Sequence, residues 1–79
     1  MRSMDYVIVI HEAEEGGYWA EVPALPGCYV QGETIEELLS EAPEVLQSHL
    51  EALREDGQEI PGEQQFVLAT VRVQPLTAA

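Results

Sequence analysis

Three side chains of this 79-residue sequence have the chemistry of nucleophiles, bases or metal ligands: Cys28, His11 and His49. A cysteine paired with a histidine can become an activated nucleophile, but no third residue that would orient such a pair is evident. Zinc binding is disfavoured because a structural site uses four ligands, often with a short paired spacing that these residues lack. We therefore predict that Cys28 is a small buried side chain and that His49 is a partly buried structural histidine. No catalytic, metal or cofactor site is expected.

Acidic side chains dominate the charge of the chain, with 15 Asp and Glu against three Lys and Arg and a net charge of −12. The basic residues are the scattered arginines Arg2, Arg54 and Arg72. Binding to nucleic acid requires clustered cations, so we expect none by this chain alone, and anionic membranes would repel it. The glycines are not followed by the Lys-Ser/Thr of a phosphate-binding loop. Acids at predicted turns, such as Glu12 and Asp56, are interpreted as solvated.

Five elements are predicted to make up the fold. The strands are expected at residues 6–10, 18–22, 28–31 and 66–73, since these runs are β-branched or aromatic and are bounded by Gly or Pro. Thr34 and Glu37 form a capping box that starts an amphipathic helix ending at Asp56-Gly57. Pro43 interrupts the helix without breaking its apolar register, which predicts one kinked helix, or two abutting helical pieces, rather than a loop.

The order of these elements predicts an α+β fold, β-β-β-α-β, with a four-stranded sheet in the order 3-2-1-4. Short turns make the first three strands an antiparallel meander, and a right-handed crossover places the fourth strand parallel to the first. One helix covers only one face of such a sheet. We therefore predict a homodimer or homotetramer whose interface includes Val7, Val9 and Trp19.

The exposed face of the predicted helix carries glutamates at spacings of three and four residues, including Glu37, Glu41 and Glu44. Such like-charge pairs each cost about 0.2–0.5 kcal/mol in an isolated helix. Two interpretations remain open: the acids keep the chain soluble, or they form a binding surface for a basic partner.

Several motifs together resemble the HicB-like antitoxin family of bacterial toxin–antitoxin systems. They are Gly-Gly-Tyr at 16–18, Val-Pro-Ala-Leu-Pro-Gly-Cys at 22–28, Gln-Gly-Glu-Thr at 31–34 before the acidic helix, and Asp56-Gly57 followed by Ile60-Pro61. The similarity covers about residues 5–73 of a single domain, 1–79. It implies a partial RNase H-like fold without nuclease activity that sequesters a small basic mRNA-cleaving toxin. Only six residues follow the predicted fourth strand, so the C-terminal DNA-binding module of many family antitoxins is not expected.

Three hypotheses follow. The chain is a cytoplasmic, non-catalytic antitoxin that binds its toxin through Glu37, Glu41 and Glu44; or it is a stand-alone homo-oligomer with a structural or regulatory role; or it is a small enzyme on the same scaffold. The enzyme hypothesis requires convergent carboxylates on the central strands. The first predicted strand has none and the second has only Glu21, which argues against it.

Overall fold

A sheet of three antiparallel strands and one long helix form the fold. The computed structural model describes residues 4–62 and 67–76. The elements are β1 (Val9–Glu12), β2 (Tyr18–Glu21), β3 (Tyr29–Gly32) and α1 (Ile35–Glu55). The α+β class predicted from the sequence is confirmed, as is the meander, since the strand order is β1-β2-β3.

The register of the meander fixes where β1 begins. Val9 pairs with Glu21 and Glu12 pairs with Tyr18, so β2 offers no partner beyond Glu21. Pro23, which lacks a backbone N–H, follows two residues later. For this reason β1 starts three residues later than the predicted Tyr6. A turn joins β1 to β2, with Gly16 and Gly17 at positive φ and a 3.0 Å bond from the Ala13 N–H to the Gly17 carbonyl.

The core lies between α1 and the inner face of the sheet. Ala20 of β2 and Val30 of β3 are opposite one another in the register and pack against the helix residues Leu38 and Ala42. All four side chains are buried, and Leu38 is 0% exposed. A buried aliphatic side chain contributes roughly 1.5–3 kcal/mol, so this small cluster orients the helix on the sheet.

A second buried cluster supports the C-terminal half of the helix. It consists of Val22, Leu25 and Cys28, which belong to the connection between β2 and β3. Two turns shape this connection: the Leu25 N–H donates to the Val22 carbonyl at 2.9 Å, and the Cys28 N–H donates to the Leu25 carbonyl at 3.0 Å. The connection is therefore a folded segment that packs beneath α1, which accounts for its two prolines and its buried Leu25.

Both ends of α1 are capped as the sequence predicts. At the N-terminus the Thr34 hydroxyl accepts the Glu37 N–H at 3.1 Å. At the C-terminus Gly57 has φ +74°, and the Gln58 N–H donates to the Leu53 carbonyl at 2.9 Å. These two bonds satisfy backbone groups that a helix end otherwise leaves unpaired. Pro43 lies inside the helix without ending it, so the prediction of one helix is confirmed.

The prediction of a fourth strand at residues 66–73 is wrong within the part of the chain that the structure describes. Phe66 lies outside the described residues, and residues 67–73 belong to no strand. Among the residues that the structure describes the strand order is 3-2-1, so the predicted order 3-2-1-4 and the partial RNase H-like fold are not confirmed. Alternating apolar residues indicate a preference for extended backbone, whereas a strand also needs a neighbouring strand with which its backbone can pair.

Candidate functional site

A stripe of glutamates runs along the exposed side of α1. Glu37, Glu41 and Glu44 are all exposed. At 100° per residue the three positions fall within an arc of about 60°, so their carboxylates share one side of the helix. The spacing in the sequence predicted this face, and the structure places it beside β3 and away from the buried Leu38.

Two open clefts adjoin this acidic stripe. One, of about 600 Å³, lies between α1 and the start of β3 and is lined in part by Tyr29, Glu41 and Glu44. The other, of about 560 Å³, lies between the β1–β2 turn and the start of α1 and includes Glu37 and Glu41. Glu41 lines both clefts. The stripe therefore borders two neighbouring open clefts that could receive cationic side chains.

Glu37 has a second role at the helix terminus. Its Oε1 accepts the backbone N–H of Glu33 at 3.3 Å, whereas the capping box of the sequence prediction would have used the N–H of Thr34. A carboxylate in the first turn also interacts favourably with the helix dipole. Of the three predicted glutamates, Glu37 thus stabilises the helix terminus in addition to lining the second cleft.

Cys28 and His49, the residues with catalytic potential, line the same cleft. Cys28 is 3% exposed, and burial raises the pKa of its thiol above the usual value. A raised thiol pKa lowers the fraction of reactive thiolate at neutral pH, which is the opposite of nucleophile activation. His11 lies on a different face, so the structure does not bring the three side chains together. This geometry supports the interpretation of Cys28 as a core residue.

The outer face of the sheet, opposite the helix, carries a row of rings. The rings of His11 and Trp19 are stacked with centroids 4.4 Å apart, and the centroids of Trp19 and Tyr29 are 6.1 Å apart. Tyr29 is 58% exposed. Val9 shares this face by strand alternation, and Val7, two residues earlier, is 37% exposed. We call Val7, Val9, His11, Trp19 and Tyr29 the outer-face patch.

The sequence prediction named Val7, Val9 and Trp19 for this patch but missed His11 and Tyr29. Alternation along β1 was a sufficient signal for His11, which is two residues after Val9. Tyr29 required the β2–β3 register, in which it pairs with Glu21. His11 Nε2 lies 3.7 Å from Glu21 Oε2, so a protonated His11 forms an ion pair with this carboxylate on the patch.

Metal-binding and membrane-spanning features are absent from the described ranges, 4–62 and 67–76. These ranges contain no group of three or more His, Cys, Asp and Glu side chains placed to hold a metal ion. The same ranges contain no helix with the length and apolar character needed to cross a membrane.

Comparison with known proteins gives one consistent result. The sequence model of the family described as HicB_like antitoxin of bacterial toxin-antitoxin system matches residues 6–75. A UPF0150 protein of Synechocystis is 48% identical over 58 residues, which are 73% of this chain and 80% of that protein. A UPF0150 protein of Thermoplasma acidophilum is 40% identical over 73% of this chain and 84% of its own length. Antitoxin HicB 1 of Photorhabdus laumondii is 36% identical over 77% of this chain, but only 39% of that longer protein is covered.

Proposed function

The chain belongs to the HicB-like antitoxin family of bacterial toxin–antitoxin systems, and we propose that it binds and neutralises a small basic mRNA-cleaving toxin. The family indicates a toxin–antitoxin role and a toxin as partner. We further propose that the chain itself has no enzymatic activity and that it acts in the cytoplasm, where the mRNA substrate of such a toxin is found.

The acidic stripe on α1 is the observation that supports this proposal. Glu41 and Glu44 are exposed and line open clefts. The arginine of the same helix, Arg54, is ten residues beyond Glu44, or about 15 Å along the axis. That separation exceeds the screening length of about 8 Å at physiological salt, so Arg54 does little to offset the field of the stripe. The negative potential of the stripe raises the rate at which a basic partner encounters this surface, and it also orients that partner.

The cleft between α1 and the start of β3 can hold a cationic side chain. Glu41 and Glu44 both line it. An Arg or Lys side chain that enters there meets two carboxylates, which form charge-assisted hydrogen bonds with cations. We propose that a basic side chain of the toxin binds in this cleft.

Binding kinetics with the basic protein encoded by the neighbouring reading frame test the proposal. We expect association whose rate constant falls on the order of tenfold between low and physiological salt, because steering by exposed charges is screened. Addition of the chain should also inhibit RNA cleavage by that protein. If the protein does not bind, or if binding leaves the cleavage rate unchanged, the antitoxin function is refuted.

Charge reversal locates the binding surface. The double variant Glu41→Lys/Glu44→Lys should slow association at least about threefold. The matched control, Glu36→Lys/Glu59→Lys, makes the same change in net charge at exposed positions outside both clefts. Equal effects of the two double variants would indicate that only the net charge matters and that the stripe is not the binding surface.

Self-association through the outer-face patch is the second part of the proposal. We propose a homodimer or homotetramer, because Val7, Val9, Trp19 and Tyr29 form an apolar and aromatic face that α1 does not cover. Sedimentation equilibrium at micromolar concentration should give at least twice the 8.7 kDa of one chain. A monomer under these conditions would refute it. If toxin binding fails and the oligomer persists, the remaining hypothesis is a stand-alone oligomer with a structural or regulatory role.

A further inference from the structure

Residues 67–76 belong to no helix or strand and contain the most exposed aliphatic side chains of the described chain. Val67, Leu68, Val71 and Val73 are 94%, 88%, 80% and 78% exposed. In a strand, side chains at alternate positions lie on the same side, so a strand of this segment has one apolar row of Val67, Ala69, Val71 and Val73. The other row contains Leu68, Thr70 and Arg72. A segment with one apolar row is suited to the edge of a half-buried sheet rather than to solvent.

The sheet has an edge that such a segment would complete. The order β1-β2-β3 leaves β1 with no strand on its other side among the residues that the structure describes. Its residues alternate between the core side, with Ile10, and the outer face, with Val9 and His11. An added strand can therefore extend either apolar surface while its backbone pairs with the unpaired N–H and C=O groups of β1.

A hydrogen bond near the start of β1 positions the chain that precedes the segment. The Tyr6 hydroxyl donates to the carbonyl of Pro61 at 2.5 Å, which holds residue 61 beside the chain that leads into β1. However, residues 67–73 do not pair with the β1 of their own chain. The Cα radius of gyration is 16.3 Å, whereas a compact chain of this length has about 12 Å.

We propose that residues 67–73 of one copy add as a strand to the β1 edge of a second copy, and that the exchange is reciprocal. Each copy supplies both a segment and an edge, so a two-fold dimer satisfies both pairings with a single type of contact. The segment itself suits an acidic neighbour, because Arg72 is the one charged residue in 67–76, whereas the −12 charges of the two whole copies repel each other. A basic toxin would gain no such attraction from this segment.

The exchange does not depend on the toxin-binding proposal, and it differs from packing between two outer-face patches. It specifies which backbone segments pair, and it brings Val67, Ala69, Val71 and Val73 onto the neighbouring sheet. Pairing of the segment with its own β1 would bury the same row without forming a dimer. The decisive measurement must therefore distinguish contacts between copies from contacts within one copy.

Isotope-filtered nuclear Overhauser spectroscopy makes this distinction on the unmodified protein. A sample of ¹³C-labelled and unlabelled chains, mixed after unfolding and refolding, should give cross-peaks between residues 67–73 of one copy and 8–12 of the other. Cross-peaks within one copy only would show that the segment closes on its own sheet, and would overturn the proposal. Absence of any cross-peak between these regions would overturn it as well.

A pair of variants adds a thermodynamic test. Val71→Asp places a charge in the apolar row, and Thr70→Asp makes the same type of change in the other row. We expect Val71→Asp to weaken the dimer at least tenfold and Thr70→Asp to change its dissociation constant less than threefold, as measured by sedimentation equilibrium. Both residues are exposed in the single chain, so the fold of each copy should survive, and far-ultraviolet circular dichroism checks this. Dimers of unchanged affinity for Val71→Asp would contradict the exchange.

Discussion

The helix and the sheet approach each other closely at Gly32, the last residue of β3, where a side chain has no room. A Cβ atom there would lie 2.6 Å from the backbone nitrogen of Leu38 and 2.9 Å from its Cα. Ordinary contacts between such atoms are about 3.5 Å or more, so Gly32→Ala requires the first turn of α1 to move by about 0.9 Å. The obstructing atoms are backbone atoms, so no change of rotamer relieves the clash.

The expected cost follows from what the movement would break. Overpacking of this kind destabilises by about 1–3 kcal/mol. The displaced turn also contains the cap, in which the Thr34 hydroxyl accepts the Glu37 N–H, and the loss of such a cap costs about 1 kcal/mol more. We expect Gly32→Ala to lower the free energy of unfolding by about 2–4 kcal/mol. A domain of this size has a total of about 4–12 kcal/mol, so the loss is a large share of its stability.

Urea unfolding followed by the fluorescence of Trp19, the single tryptophan, measures this loss. All variants should be compared at one protein concentration, because self-association adds to apparent stability. Gly62→Ala is the matched control: a Cβ at Gly62 meets no atom within 4 Å, and its φ is not positive. We expect the control to lie within about 0.5 kcal/mol of the wild type. A similarly small effect of Gly32→Ala would refute the argument that helix and strand are in backbone contact there.

Three further predictions concern the core, the cap and the thiol. Leu38→Ala should destabilise by about 2–5 kcal/mol, whereas Leu39→Ala, at a position 50% exposed, should cost much less in the same urea titration. Thr34→Ala should cost about 1 kcal/mol and Thr34→Ser should restore most of it, as measured by the thermal midpoint. The raised pKa of Cys28 means that the unfolded chain loses the thiol proton first as pH rises, so this contribution to stability is complete below the ordinary thiol pKa of 9.0 and declines above it. Cys28→Ala should remove that part of the alkaline decline, seen as a smaller loss of unfolding free energy between about pH 8 and 10.

The parts of the fold that could be predicted from the sequence are those fixed by local chemistry. The helix begins after Thr34 and ends before Gly57 because capping groups and a 3.6-residue period lie within the segment itself. The short strands β2 and β3 were predicted to within a residue at each end because Gly and Pro bound them. The stripe of Glu37, Glu41 and Glu44 follows from spacing alone.

The parts that could not be predicted depend on partners distant in the sequence. The start of β1 is set by where β2 ends, and the position of Tyr29 on the outer-face patch is set by the register between strands. The apolar alternation of residues 67–73 predicted a strand, but pairing depends on an edge that the local pattern does not specify. The close contact at Gly32 likewise arises only when α1 packs on β3.

The two proposed interactions bring together charges of different sign, and this leads to opposite salt dependences. The acidic stripe lies on the exposed side of α1, whereas the outer-face patch lies across the sheet from the helix. Two copies with a charge of −12 each form a dimer of −24, so their repulsion opposes assembly. Salt screens this repulsion and should strengthen self-association, while the same salt screens attraction to a basic toxin and should slow its binding. One ionic-strength series tests both predicted salt dependences. Sedimentation measures the affinity of the dimer, and association kinetics measure the binding of the toxin. If both interactions weaken with salt, the dimer is held by ion pairs rather than by apolar contact, and the assignment of the outer-face patch is wrong.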